Sequence, residues 1–183
     1  MKSFGVILSA VMLLCIYVTT AKGEKADTLT REEKIAEWKR INEQVWKPFS
    51  EAYLQLDAQR YLDLHAVDFL RIGDGRILTK QQYTEQQIRN FQRYKQQGIT
   101  LAIDFRLVER IVNENFASER GIFCTIAHKG TPKEQRYYGK FHVIMRKEQS
   151  TWKITMDYDS DERGTINAKS FEEAFALEEF AKL

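Results

Sequence analysis

From Arg136 to Asp159 the chain alternates. Tyr137, Phe141, Val143 and Met145 share one parity with Gly139, while Tyr138, Lys140, His142, Ile144 and Arg146 take the other. After the polar connection Glu148-Gln149-Ser150, Trp152, Ile154, Met156 and Tyr158 alternate with Lys153, Thr155, Asp157 and Asp159. Period two over this length predicts an antiparallel hairpin that lays one apolar face on a core. Two more strands carry the same signal: Ile99, Leu101, Ile103, Phe105 and Leu107 alternate, Asn113-Glu-Asn115 turns the chain, and Phe116 to His128 returns. Lys129 to Pro132 then delivers it into the hairpin.

Upstream the period is three to four. Thr30-Arg-Glu-Glu33 is a capping box, and Ile35, Trp38, Ile41, Val45, Phe49, Ala52 and Leu56 follow as an apolar stripe. Pro48 interrupts it, so a kink or break is expected near Trp46 to Lys47. A short helix from Ala58 to His65 follows Asp57. Val67 to Ile72 reads as a strand, Gly73-Asp-Gly75 as a turn and Arg76 to Leu78 as a return strand. Thr79-Lys-Gln-Gln82 is a second capping box, opening a helix that Gly98 closes. Ser170-Phe-Glu-Glu173 is a third, predicting a C-terminal helix to about Ala181.

The first residues read differently from the rest. Lys2, the apolar run Phe4 to Val18 and the small residues up to Gly23 match a secretory signal peptide, too short to span a membrane, so no stable anchor is expected. The expected division of the 183 residues is a leader, 1–23, and a single domain, 24–183, working in the periplasm or outside the cell. Loss of the leader leaves Cys124 alone within Gly121-Ile-Phe-Cys-Thr-Ile-Ala127, a buried inert thiol rather than a nucleophile. The formal charge of +2 falls to +1 or 0 with Lys2 and Lys22, and no basic tract with interleaved aromatics occurs, which argues against nucleic acid as a partner.

This order of elements predicts an α+β fold: a curved antiparallel sheet with the N-terminal helices packed on one face, and a short C-terminal helix. Together with Trp46-Lys-Pro-Phe49, Asp57, His65-Ala-Val-Asp-Phe-Leu-Arg-Ile72, Trp152-Lys-Ile154 and Asp157-Tyr-Asp159, it resembles the nuclear-transport-factor-2-like superfamily. That superfamily has a cystatin-like cone, also called the SnoaL-like or ketosteroid-isomerase-like fold, and the likeness is to its small exported bacterial members of unassigned function. The resemblance covers about Glu33 to Asp159. It implies a pocket between helices and sheet, but isomerases, dehydratases, cyclases, epoxide hydrolases, transport adaptors and oligomerisation modules share that fold. The isomerase branch's tyrosine, base and protonated aspartate would fall near Phe49, at Gly73 or Asp74, and near Phe141 or His142, where only Asp74 has the right chemistry. That catalytic set is not present.

Five residues are candidates to line the pocket: Tyr53, His65, Phe69, Arg71 and Trp152. Arg71 shares strand parity with Phe69, and alternation alone leaves open whether it points under the helices, toward a carboxylate or anionic ligand, or into solvent. His65 is expected at a helix end, where a cation is favourable, and His142 on a polar face. Asp157 and Asp159 fall on the polar parity and are expected to pair with cations across strands, acid–base work being the alternative. The three histidines lack metal-ligand spacing, so neither metal nor cofactor is expected. The reading these residues support is an exported binding or accessory protein for a small apolar or anionic ligand, with a pocket enzyme or a dimeric interaction module as alternatives. Thr100, Ala102, Tyr138, Ile144 and Thr155 make the uncovered sheet face less polar than a solvated one, so a homodimer through that face is expected.

Overall fold

Thr30 starts the first helix by exchange of hydrogen bonds: its hydroxyl accepts the Glu33 amide at 3.3 Å, and the Glu33 carboxylate accepts the Thr30 amide at 2.7 Å. The structure, a computed structural model, describes residues 29–73 and 75–182; the leader and Asp74 lie outside them. Helix α1 (Arg31–Ile41) runs through a π-helical turn, Asn42–Trp46, into α2 (Lys47–Gln55). The break expected near Pro48 takes this milder form. Proline has no amide to donate, and the Lys47 amide reaches the Asn42 carbonyl five residues back, so the helix widens and continues.

Leu56 closes α2 in the left-handed conformation, and Asp57 caps α3 (Ala58–Leu62) through the Arg60 amide. α3 is shorter than expected, and His65 opens β1 (His65–Gly73) instead of ending a helix. β2 (Arg76–Thr79) and α4 (Lys80–Gln96) follow, with the second capping box formed and Gly98 at φ 63° beyond the helix. The long strands are β3 (Leu101–Val112), β4 (Phe116–Ala127), β5 (Gln135–Glu148) and β6 (Thr151–Ser160).

The C-terminus departs from its reading. Asn167, not Ser170, caps α5 (Ala168–Glu173): its side chain accepts the Lys169 and Ser170 amides, and Ser170 serves as the reciprocal partner. The helix stops at Glu173 because the chain extends as β7 (Phe175–Ala176) along β3.

The curved sheet has seven strands in the order β2-β1-β6-β5-β4-β3-β7, antiparallel throughout except where β1 lies parallel to β6. Helices α1, α2 and α4 cover one face, burying Trp46, Phe69, Phe91, Leu107, Met145 and Trp152. The opposite face is not wholly bare. Phe171 of α5 packs on Tyr138 over Ala102, Cys124 and Ile126, so only the part nearer β1 and β6 stays open.

Two bulges decide what faces the helices. In β3, Val108 is inserted between the pairs Leu107/Gly121 and Glu109/Arg120, which turns Arg110 inward beside Glu119. That ion pair, 2.7 Å long and closed to solvent, also holds the Trp46 indole through Glu119 and the Asn42 side chain and Leu177 carbonyl through Arg110. In β6, Thr155 is inserted between the pairs Met145/Ile154 and Ile144/Met156, and its hydroxyl donates to the Ile144 carbonyl. Beyond it the alternation reverses. Asp157 and Asp159 therefore turn under the helices, contrary to the uninterrupted parity read from the sequence, while Met156 and Tyr158 turn away.

Candidate functional site

The sheet floor between α2 and α4 carries a paired glycine and phenylalanine pattern. Gly121 of β4 stands opposite Phe141 of β5, and Gly139 of β5 opposite Phe123 of β4. A Cβ on Gly139 would come within 2.5 Å of the Phe123 ring, and one on Gly121 within 2.7 Å of the Phe141 ring and 2.0 Å of the Arg106 carbonyl. Each glycine is thus the seat of the other strand's phenyl group. Both rings lie down across the sheet, which leaves space above them.

That space is a cavity of about 170 Å³. Trp46, Phe49 and Tyr53 from the π-helical turn and α2 form one wall, with Phe105, Phe123 and Phe141 from the sheet as the other. The rings pack edge to face or tilted, Trp46 at 4.7 Å from Phe105 and 5.2 Å from Phe141, Phe49 at 5.2 Å from Phe105. Gln86, Gln87 and Thr125 add neutral polar groups, and Arg76 on β2 is exposed at the rim.

One corner is charged. Arg71, just past the irregular stretch of β1 between His65 and Leu70, points under the helices and spans two carboxylates: Nη1 donates to Asp157 Oδ2 at 2.6 Å and Nη2 pairs with Asp159 Oδ2. Its guanidinium also lies 5.9 Å from the centre of the Tyr83 ring. Burial opposes the charge on Arg71, but Asp157 and Asp159 outweigh it and raise its pKa above the ordinary value. Burial also pushes the Asp157 carboxyl above the usual carboxylate range; Arg71 pulls it back and Asp159 adds to the push. Asp159 Oδ1 rests against Gly73, where a Cβ would approach it to 2.8 Å.

Beside this corner the Tyr61 and Tyr83 hydroxyls share a 2.6 Å hydrogen bond, and burial raises both well above the phenol range. Burial pushes Tyr53 up to about 12, and all three hydroxyls are neutral at physiological pH. The sequence candidates divide accordingly. Tyr53 and Arg71 line the cavity. His65 and Phe69 pack behind it against Tyr83, and Trp152 is buried elsewhere, with its indole nitrogen donating to Glu37. His65 is not a helix-end cation: burial, then Lys80, lower its pKa to about 3, and its Nδ1–H donates to the Tyr61 carbonyl at 3.0 Å. The cation at the end of α3 is Lys80, whose ammonium donates to the Leu62 and His65 carbonyls.

Asp157, Asp159, Tyr61 and Tyr83 were missed as a group, because uninterrupted alternation puts the acids outside. A signal was present in Gly121 and Gly139, glycines inside strands, which mark close approach of another group. Among the described residues no three histidine, cysteine or acidic side chains are grouped to hold a metal ion.

With the geometry in place, known structures identify the architecture. A protein from Novosphingobium aromaticivorans, described as nuclear-transport-factor-2-like with a cystatin-like fold, superposes with a TM-score of 0.57 at 13% identity, covering 76% of this chain and 90% of its own. A conserved protein from Planctomyces limnophilus gives 0.57 at 19% identity over 67% and 94%. A ketosteroid-isomerase-like protein from Erwinia carotovora atroseptica gives 0.53 at 16% over 68% and 95%. The chain therefore has the nuclear-transport-factor-2-like fold, its open seven-stranded sheet backed by N-terminal helices. No protein-family model and no curated protein matches it in sequence.

Proposed function

We propose that the protein binds a small molecule in the cavity between α2, α4 and the sheet, and that it does so as an exported protein. The observation that carries the binding reading is an aromatic-walled space of about 170 Å³ with a single charged corner, a combination that suits a ligand near the size of one substituted ring. Arg71 is committed to Asp157 and Asp159, so its part is to hold the corner together, not to capture an anion. Export rests on the Lys2 to Gly23 pattern. Native mass spectrometry of protein purified from its own host tests both: the expected species begins between Lys22 and Ala26 and carries a small non-covalent adduct that Phe141→Trp excludes.

A second reading, acid–base catalysis in the same cavity, is favoured by two carboxylates on one guanidinium, one of them buried and raised. Turnover lost in Asp157→Asn with ligand binding retained would move the protein to that class. Self-association through the open sheet face is supported by one lateral row, Leu70, Met156, Ile144, Ser118 and Ile111, each in register with the next. A monomeric mass by light scattering at micromolar concentration would exclude it.

A further inference from the structure

Charge at the acidic corner of the cavity does not balance. Arg71 contributes one positive charge, and Asp157 and Asp159 contribute two negative ones. The remaining cation on the lining, Arg76, is exposed, where water and salt screen it from the interior. Tyr53, Tyr61 and Tyr83 are neutral and offer no compensation.

The walls favour the same sign. An aromatic face is the negative side of the ring's quadrupole, and the rings of Trp46 and Phe49 from the helix side and of Phe105 and Phe141 from the sheet side line the space. An anion would meet aromatic walls and surplus carboxylate charge, with the Arg71 guanidinium already taken. A neutral ring would fill the walls but leave the acidic corner uncompensated.

Resting on the small-molecule reading above, we propose that the ligand is a cation: a small primary or quaternary amine carried on one apolar ring. Its ammonium group sits between the aromatic walls and Asp159, and its ring occupies the space over Phe123 and Phe141.

The test titrates the full chain with three probes of one size, following Trp fluorescence and calorimetric heat: benzylamine, its neutral isostere benzyl alcohol, and benzoate. Benzylamine is expected to bind about tenfold or more tighter than benzyl alcohol, with benzoate weakest, a ratio in keeping with a cation–π contact plus one carboxylate. Asp159→Asn should lower the amine-to-alcohol ratio by about threefold or more, leaving the part that the aromatic walls supply. If benzyl alcohol binds as tightly as benzylamine, or benzoate binds best, the cation inference is overturned while the pocket reading stands. If none of the three binds at millimolar concentration, both fall. The wild-type ranking does not depend on the variant folding, and the variant's melting temperature shows whether its ratio can be compared.

Discussion

Arg71→Met removes the guanidinium and keeps an apolar stem, so it isolates the charge that holds Asp157 and Asp159 together. Removing one partner of a buried ion pair costs about 3–5 kcal/mol, because the other charge remains desolvated. Here the Arg71 and Asp157 side chains are 20% and 9% exposed and Asp159 is 28% exposed, which places the loss at the lower end, about 3 kcal/mol at pH 7. The pH dependence follows from Asp157. Its folded pKa already lies above the unfolded value, and without Arg71 it rises further, so the carboxyl weakens the fold as pH climbs from the unfolded value through the folded one. Acidification relieves that penalty more in the variant than in the parent. Urea denaturation is the appropriate assay, since guanidinium would itself occupy the vacated site. The gap between the two proteins should shrink by about 1 kcal/mol or more between pH 7 and pH 5, and Asp157→Asn added to Arg71→Met should recover part of the loss at pH 7. A deficit below about 1 kcal/mol at pH 7, or one equal at both pH values, would refute the argument that Arg71 compensates a buried acid.

His65 gives a second pH signature of the opposite sign. With its folded pKa near 3, the unfolded chain binds the extra proton between that value and about 6.5, so stability should rise with pH across this window, and His65→Phe should flatten the rise in thermal melts. Gly139→Ala forces the Phe123 ring off its seat, and should cost about 1–3 kcal/mol and weaken binding of any cavity probe; an unchanged melting temperature would show that the ring is not confined. Arg110→Ala leaves Glu119 buried without its cation and should cost about 3–5 kcal/mol. Because Arg110 also holds the Leu177 carbonyl, hydrogen exchange in residues 175–182 should accelerate more than in β5.

What could be read in the sequence was whatever depends on local chemistry. Thr30 and Thr79 marked their helix starts because a capping box uses only four neighbouring residues, and Gly98 marked an end because a positive φ suits it. Phe141, Val143 and Met145 face the core as alternation required. Failures came where the answer lies in a partner strand or a distant contact. His65 reads as helical because nothing in Leu62-Asp63-Leu64-His65 shows that the Leu64 carbonyl accepts the Ile154 amide. Asn167 outcompeted Ser170 as a cap once the following chain was drawn onto β3, a contact with residues more than sixty positions away. The acidic corner was misplaced for the same kind of reason, since a threonine that interrupts a ladder has the same composition as one that continues it. The side of the sheet that Arg71 takes depends on Asp157 and Asp159, more than eighty positions away.

The insertion at Thr155 has a consequence for how such a cavity can change. Residues beyond it owe their side of the sheet to a count of backbone units, so a single deletion there should exchange the occupants wholesale: Met156 and Tyr158 would enter the cavity, and both aspartates would leave it. The interior would go from acidic to apolar in one step, with no side chain replaced and with the Phe123 and Phe141 floor untouched. Chains sharing this architecture could therefore differ completely in ligand polarity while differing by one codon's length, and a comparison aligned without regard to that gap would pair inward residues with outward ones.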